Sequence, residues 1–440
     1  MKRVLCISPH FPPSNTADMH RLRTSLPYFE QFGWKATVLA VRPEDVEQST
    51  DPLLEASLPE GCDVVRVRAW PASWTRRVGL GNLGLRALWS LFWTGLRLLR
   101  REKYDLIYIS STVFQMFILA RWWRAWSGVP YVLDIQDPWY NQYYDDNPQA
   151  RPPKYWFIHT LNRYMEPYVM KRVSGLIAVS KAYLDELEVR YAHLKKVPKQ
   201  TLTFGAAQVD WTVAEQVSSS EIEPFLAQAT KQPCFKGVYV GRGGPDMEKA
   251  LGLVFKALLL GKQKQPALFD RVHLTFVGTD YAPKGREKKR VEPLAEAFGV
   301  AEHVQEFPLR IPYFHALSLL QKADFLVIVG SDDPSYSASK IYAQLLAKIP
   351  ILLVFHEQSG VVEVVKKVGG VSLVTFSEAQ GHTEVELLEK WQEMLQSLPY
   401  TPETNWDAFE HYSAREMTRH QCMLFEESLA AHQTDTHGSS

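Results

Sequence analysis

Tyr239-Val240-Gly241-Arg242-Gly243-Gly244-Pro245-Asp246-Met247-Glu248-Lys249-Ala250-Leu251 joins an apolar run to an amphipathic one through a glycine-rich turn. Between a strand and a helix such a turn lets backbone N–H groups approach a phosphate, and the helix N-terminus adds positive partial charge. Gly241 and Gly243 give the close approach, and Arg242 and Lys249 add cations. That combination suits a leaving group that gains negative charge as its bond breaks.

Two segments of the first half end apolar runs in polar residues. Ser8-Pro9-His10-Phe11-Pro12-Pro13-Ser14-Asn15-Thr16-Ala17-Asp18-Met19-His20-Arg21 opens a helix, which makes His10, Pro13, Asn15 and His20 candidates for contact with an acceptor or a phosphate. Leu133-Asp134-Ile135-Gln136-Asp137-Pro138-Trp139 carries a carboxylate just past its apolar run, so Asp137 is the candidate acid of the pocket. No His-Glu-x-x-His, paired-Cys or regular carboxylate pattern predicts a metal, and no cofactor is expected. The sequence also has no P-loop, no Gly-x-Ser-x-Gly elbow and no complete Gly-x-Gly-x-x-Gly, which argues against kinase-like, hydrolase and dinucleotide chemistry.

These residues need elements to hold them. The 440 residues exceed the ~250–300 that one core usually organises. Short apolar runs alternate with helix-length amphipathic segments, the pattern of parallel sheets wrapped by helices. Strands are predicted at Val4–Ser8, Thr37–Val41, Val64–Val67, Leu106–Ser110, Tyr131–Ile135 and Leu176–Val179, and again at Gly237–Gly241, Leu274–Gly278, Phe325–Val329, Ile351–Phe355 and Val371–Val374. Helices are predicted between them, among them His20–Phe32, Leu85–Arg101 and Ser339–Ala347. The expected organisation is α/β with two Rossmann-like, doubly wound domains facing a central cleft. Residues 1–210 form the acceptor side, 211–234 a linker, 235–400 the donor-binding domain, 401–432 a helical segment crossing back, and 433–440 a disordered tail.

Lys+Arg and Asp+Glu balance at 49 each, so no global field favours nucleic acid. Cys6, Cys62, Cys234 and Cys422 are far apart and fit reduced thiols in a cytoplasm. The start of the chain is too short in apolar residues for a signal peptide. Leu80–Leu99 contains Arg86 and Arg97, each costing roughly 2.5–3.5 kcal/mol at the centre of a span, so it is not read as one. On that helix Leu85, Leu88, Trp89, Phe92, Leu96 and Leu99 are expected to face the core. Arg86, Ser90, Trp93, Arg97 and Arg100 are expected to form a second, exposed stripe, echoed by Arg121-Trp122-Trp123-Arg124-Ala125-Trp126. Trp with Arg suits an anionic membrane surface, hence a peripheral contact on the inner face of the membrane.

In order along the chain, these motifs resemble the glycosyltransferase family 4 group of GT-B enzymes. The resemblance rests on the Pro-Pro loop, Asp137-Pro138-Trp139, Val179-Ser180, the Gly-rich turn at Gly241, Phe276-Val277-Gly278 and Ser339-Lys340-Ile341-Tyr342. It implies transfer of a sugar, with retention at the anomeric carbon and without a metal, from a UDP- or GDP-sugar to a lipid-linked or saccharide hydroxyl in cell-surface polysaccharide or glycolipid synthesis. By the same resemblance Arg242 and Lys249 stabilise the departing diphosphate and Asp137 orients the sugar or acceptor. Gly278, Thr279, Arg310, Asp333, Tyr336, Ser337, Ser339 and Lys340 border the donor. Ser335 and Ala343 stand where many members have two glutamates. A non-catalytic binding subunit and a nucleotide-sugar epimerase on the same fold are the alternatives.

Overall fold

The computed structural model describes residues 1–75, 81–139, 155–227, 234–282, 285–333, 340–377 and 383–437. The chain divides into two compact units, Met1–Gly205 with Tyr412–Ser440, and Ala206–His411.

The first unit is built on seven parallel strands: β1 (Lys2–Ile7), β2 (Trp34–Val41), β3 (Asp63–Val67), β4 (Leu106–Ser111), β5 (Tyr131–Ile135), β6 (Gly175–Ala178) and β7 (Lys199–Thr201). Their order is β3-β2-β1-β4-β5-β6-β7. The central strands read as continuous apolar runs because helices cover both faces. Leu5, Ile107, Leu133 and Leu176 pack on one side with the helices Leu83–Arg101 and Phe117–Ser127. Val4, Tyr108, Val132 and Ile177 pack on the other with Leu22, Leu424 and Phe425 from the helices His20–Ser25 and Ala414–His437.

The second unit has six parallel strands: β8 (Phe235–Val240), β9 (Val272–Val277), β10 (Val304–Phe307), β11 (Phe325–Val329), β12 (Ile351–His356) and β13 (Ser372–Phe376). The order is β10-β9-β8-β11-β12-β13. One core joins its strands to the helices Glu248–Lys264 and Thr383–Ser397 around Phe255, Phe269 and Trp391. In each sheet the connections reverse direction once, between β1 and β4 and between β8 and β11. Open α/β sheets bind ligands at the carboxyl ends of such neighbours.

Several expectations are corrected. The stretch 211–234 is not a plain linker within its described part. The helices Gln208–Ala214 and Ser219–Leu226 bury Trp211, Val213, Ile222 and Leu226 in the second unit. A Ser218/Glu221 capping box starts the latter helix. Charged residues between the buried positions had hidden that face. The helix expected over His20–Phe32 stops at Ser25 and continues as 3-10 turns, because Pro27 lacks the N–H an α-helix needs. Gln433–His437, expected in a disordered tail, extends the helix Ala414–His437.

The Leu83–Arg101 helix is turned relative to its expected orientation. Leu83, Ala87, Leu91, Phe92, Gly95 and Leu96 face inward. Gly95 sits so tightly against Trp123 that a Cβ there would come within 2.2 Å of the indole. Trp89 is therefore 53% exposed and Trp93 58% exposed. Arg86, placed by sequence on the outer stripe, is only 4% exposed. Its guanidinium donates to the carbonyls of Trp70 at 2.7 Å and Asp45 at 2.9 Å. More than half of this helix is apolar, so periodicity alone left the inward face open to a one-residue rotation.

Candidate functional site

In the first unit the β1–β4 reversal holds a buried polar network. The turn Ala17–Met19 brings the Asp18 carboxylate to His10, whose Nδ1 lies 3.0 Å from Oδ2. The Ser111 hydroxyl at the end of β4 donates to the same oxygen at 3.0 Å. Burial raises the Asp18 carboxyl, but the hydrogen bond and charge of His10, with the hydrogen bond from Ser111, hold it below the ordinary range. An ionised carboxylate only accepts, so the Nδ1–H of His10 donates to it.

Beside this pair, Arg21 and Asp134 are both fully buried and bonded at 2.8 Å. Asp134 sits inside β5, opposite Ser110 in β4. Its Oδ2 accepts from Arg21, Ser110 at 2.8 Å, Gln136 at 3.0 Å and Tyr108 at 3.2 Å. Arg21 reaches on to the carbonyls of Leu202 and Thr203 and packs over the Phe204 ring. The Gln136 amide donates to the Asp18 carbonyl at 3.0 Å and joins the two groups. Asp137, one residue further, lies at the exposed rim, its carboxyl raised by desolvation and then by the charge of Asp18.

The four acceptor-side candidates do not gather at one point. Only His10 enters the network. The Pro13 carbonyl accepts from the Asp51 N–H, and the Asn15 N–H donates to the Ser49 carbonyl, so both tie their loop to the segment before Leu53–Ala56. His20 pairs with Arg23 through Nδ1 at 3.1 Å. Asp18, Arg21, Asp134 and Gln136 were not among the sequence candidates. The signal was present, since a carboxylate inside a fully buried strand requires a partner.

In the second unit the β8–β11 reversal gathers cations. Arg242 follows β8 and forms a two-pronged pair with Asp246 at 2.8 and 2.5 Å. Burial raises Asp246, and the hydrogen bonds from Arg242 and Ser331 outweigh it and hold that carboxyl low. The Asp246 carbonyl accepts from the Asp332 N–H at 2.8 Å, which ties the turn to the end of β11. The Lys340 ammonium approaches the Val240 carbonyl at 3.5 Å, and a Cβ on Gly241 would come within 2.7 Å of it. Desolvation, then the charges of Arg310 and Arg242, lower Lys340 to about 8. Arg310 packs its guanidinium 4.0 Å from the centre of the Tyr281 ring. Arg242 and Arg310 thus both act on Lys340 beside this turn. The adjoining helix Glu248–Lys264 has no side-chain cap at its N-terminus.

Lys249 lies apart from them. It is exposed, faces the Phe376 ring at 5.4 Å and approaches the Ser377 carbonyl at 3.4 Å. Gly278 has a left-handed φ of 74°, which favours glycine there. Gly243 donates to the Thr279 carbonyl at 2.8 Å. The Thr279 hydroxyl donates to buried Glu306, whose carboxylate also accepts the N–H groups of Arg290, Val291 and Glu292 at 2.9–3.1 Å. That carboxylate occupies the N-terminus of Val291–Ala297, so Thr279 and this helix end serve the fold. The Asp333 N–H donates to the Ser331 hydroxyl at 3.0 Å. Tyr336, Ser337 and Ser339 lie outside the described residues. Among the described residues, no group of three or more His, Cys, Asp or Glu side chains is arranged to hold a metal.

Residues 22–197 match the family model described as glycosyl transferase 4-like domain. The whole chain is similar to HepE of Anabaena solved with UDP, at 16% identity over 97% of this chain and 100% of that one, with a TM-score of 0.56. HepE solved with UDP-glucose gives 16% identity, 99% and 100% coverage and a TM-score of 0.52. The N-terminal domain of Candida albicans trehalose-6-phosphate phosphatase gives 12%, 98% and 95%, with a TM-score of 0.50. No curated protein sequence matches the chain. With its two Rossmann-like units, the chain has the GT-B architecture expected from its sequence. Among its described residues, no helix is long and apolar enough to cross a membrane.

Proposed function

We propose that the protein transfers a sugar from a UDP- or GDP-sugar to a hydroxyl acceptor, without a metal and with the retention that the family resemblance implies. The observation that carries this reading is the convergence of Arg242, Arg310 and Lys340 on the carboxyl end of β8. A departing nucleoside diphosphate gains charge as the glycosidic bond breaks, and fixed cations stabilise that charge without reorganising. The first unit, with His10 and Asp137, takes the acceptor side. The UDP and UDP-glucose bound by HepE support a uridine nucleotide as the first donor to test.

UDP should raise the melting temperature, since a ligand at about 100 times its Kd adds ~2.7 kcal/mol of stability. Its binding should also report on Lys340. The ammonium form binds the diphosphate, and the diphosphate in turn favours the ammonium form. Lys340 is lowered to about 8, so binding should take up a proton near that pH and weaken above it. An affinity loss of up to about tenfold between pH 7 and 9.5 corresponds to roughly one unit of change in the lysine pKa. Lys340→Met should bind more weakly and lose this dependence. Titration calorimetry that detects no UDP or GDP binding would overturn the donor site.

The acceptor is proposed to be lipid-linked, with the first unit resting on an anionic membrane in the manner of a peripheral protein of the inner face. Trp89, Trp93, Arg97 and Arg100 form an exposed stripe, and Arg100 lies 5.8 Å from the ring centre of exposed Trp126. Leu83–Arg101 and Phe117–Ser127 contain no Asp or Glu. Vesicles containing phosphatidylglycerol should bind the protein at ~0.02 M salt and release it near 1 M, where the Debye length falls to about 3 Å. Arg97→Gln with Arg100→Gln should abolish binding with little change in melting temperature, whereas Arg86→Gln should chiefly destabilise. Indifference of the wild type to such vesicles would favour a soluble saccharide acceptor.

A further inference from the structure

We propose that the exposed cations of the loop after β9, Arg286, Lys288, Lys289 and Arg290, draw the anionic diphosphate of the donor toward the turn at Gly241 and set its rate of arrival. This rests on the donor reading above and deepens it by naming residues that act on the nucleotide before it is seated. The chain as a whole balances 49 basic against 49 acidic residues, so an excess of one sign is a local feature. Residues 280–292 carry five basic residues against Asp280, Glu287 and Glu292, and Arg310 adds a sixth. Arg286, Lys288, Lys289 and Arg290 are all exposed. Among the described residues, Lys289 alone of the four has an ion-pair partner, Glu292 at 2.5 Å. The loop that carries them is tied down. Asp280 accepts from the N–H groups of Tyr281 and Lys288 at 2.8 Å each, Glu287 accepts from that of Gly285, and buried Glu306 accepts from that of Arg290 at 3.0 Å.

Contacts within the second unit lead from this loop to the carboxyl end of β8. The Tyr281 ring packs against the Arg310 guanidinium, 4.0 Å from the ring centre. Arg310 lies against the end of β9, the neighbour of β8, where a Cβ on Gly278 would come 3.7 Å from the Arg310 Cα. Arg310 acts in turn on Lys340, whose ammonium approaches the Val240 carbonyl beside Gly241. Positive charge therefore continues from the loop to the turn. Exposed ion pairs contribute little to a settled complex, because water screens them and long side chains lose freedom in making them. Their field still reaches an approaching ion, since the Debye length is about 10 Å at 0.1 M salt. Cations at the rim of a site accordingly change the on-rate and its salt dependence more than the off-rate. Such fields raise on-rates by about 10–10³-fold, and the modest excess here points to the lower end.

The test follows association of UDP and GDP carrying a fluorescent ribose label by stopped flow, at ionic strengths from about 0.02 to 0.5 M. For the wild type kon should fall by about tenfold over that range. Arg286→Gln with Lys288→Gln and Arg290→Gln should lower kon about tenfold at low salt, flatten most of its salt dependence and leave koff within about twofold. Lys289 stays in this variant because Glu292 already neutralises it. Arg286→Lys with Arg290→Lys keeps the charge and should keep the wild-type kon, which a role in shape or hydrogen bonding would not. If the triple variant does not fold, Arg286→Gln with Lys288→Gln carries the test with a smaller loss of about threefold. A kon and salt slope shared by the neutral variant and the wild type, or a loss that lies in koff, would overturn the steering and leave the donor site standing. Unchanged kon with lost affinity for phosphatidylglycerol vesicles would overturn it in favour of a lipid surface. If neither nucleotide binds the wild type, the donor site fails and the steering with it.

Discussion

Arg21→Met should destabilise the protein by about 3–5 kcal/mol, the usual cost of removing one member of a buried ion pair. Arg21 and Asp134 are fully buried, and the guanidinium also satisfies the carbonyls of Leu202 and Thr203. Methionine fills much of the volume but donates nothing. It leaves a charged carboxylate in β5 with only the neutral donors of Ser110, Tyr108 and Gln136. A change of this size lowers a melting temperature by on the order of 10 °C in a unit of this length. Adding Asp134→Leu should restore only part of the loss, because those three donors then lack their acceptor. Differential scanning calorimetry of the single and double variants checks both statements, and a single variant within 1 °C of wild type would show that the pair contributes little.

Arg21 and Asp134 also mark what was legible in the sequence. The central strands were readable because both faces of each sheet are covered, which turns β1, β4, β5, β11 and β12 into apolar runs. The missed strands, β7 and β10, lie at sheet edges and read Lys199-Gln200-Thr201 and Val304-Gln305-Glu306-Phe307. They lack that run, and Glu306 is buried only because a helix end neutralises it. Residues whose place the local chain sets lie where the strand-and-turn pattern put them: Gly241 and Arg242 just past the end of β8, and Gly278 at a left-handed turn. Residues that meet only through the fold were harder. Lys249 is close to Arg242 in sequence yet faces Phe376, while Arg310 and Lys340 arrive from distant segments to act on each other. The pairing of His10 with Asp18 likewise depends on a turn whose form the sequence did not announce.

On the proposed transferase reading, Arg242→Ala should raise the barrier to transfer by about 2.7–4 kcal/mol, a loss of 10²–10³ in turnover, because it would remove a preorganised donor from the departing diphosphate. The effect on folding should be smaller. Arg242 is partly exposed, and its pairing with Asp246 is a partly solvated one. Truncation also frees the Asp246 carboxylate beside the incoming phosphates, so part of the loss is repulsion. Arg242→Ala with Asp246→Ala should therefore recover some donor affinity without recovering turnover. Lys249→Ala, which leaves the three converging cations in place, should cost much less.

The most direct measurement is kcat/KM for UDP- and GDP-sugars on protein treated with EDTA and verified free of metal, comparing wild type with Arg242→Ala. The account predicts sugar transfer by the metal-free wild type and a 10²–10³-fold loss in a variant that melts at nearly the same temperature. Activity restored only by Mg2+ or Mn2+, equal rates in the two proteins, or UDP binding with no turnover of any donor would contradict it, the last by making the chain a nucleotide-binding subunit.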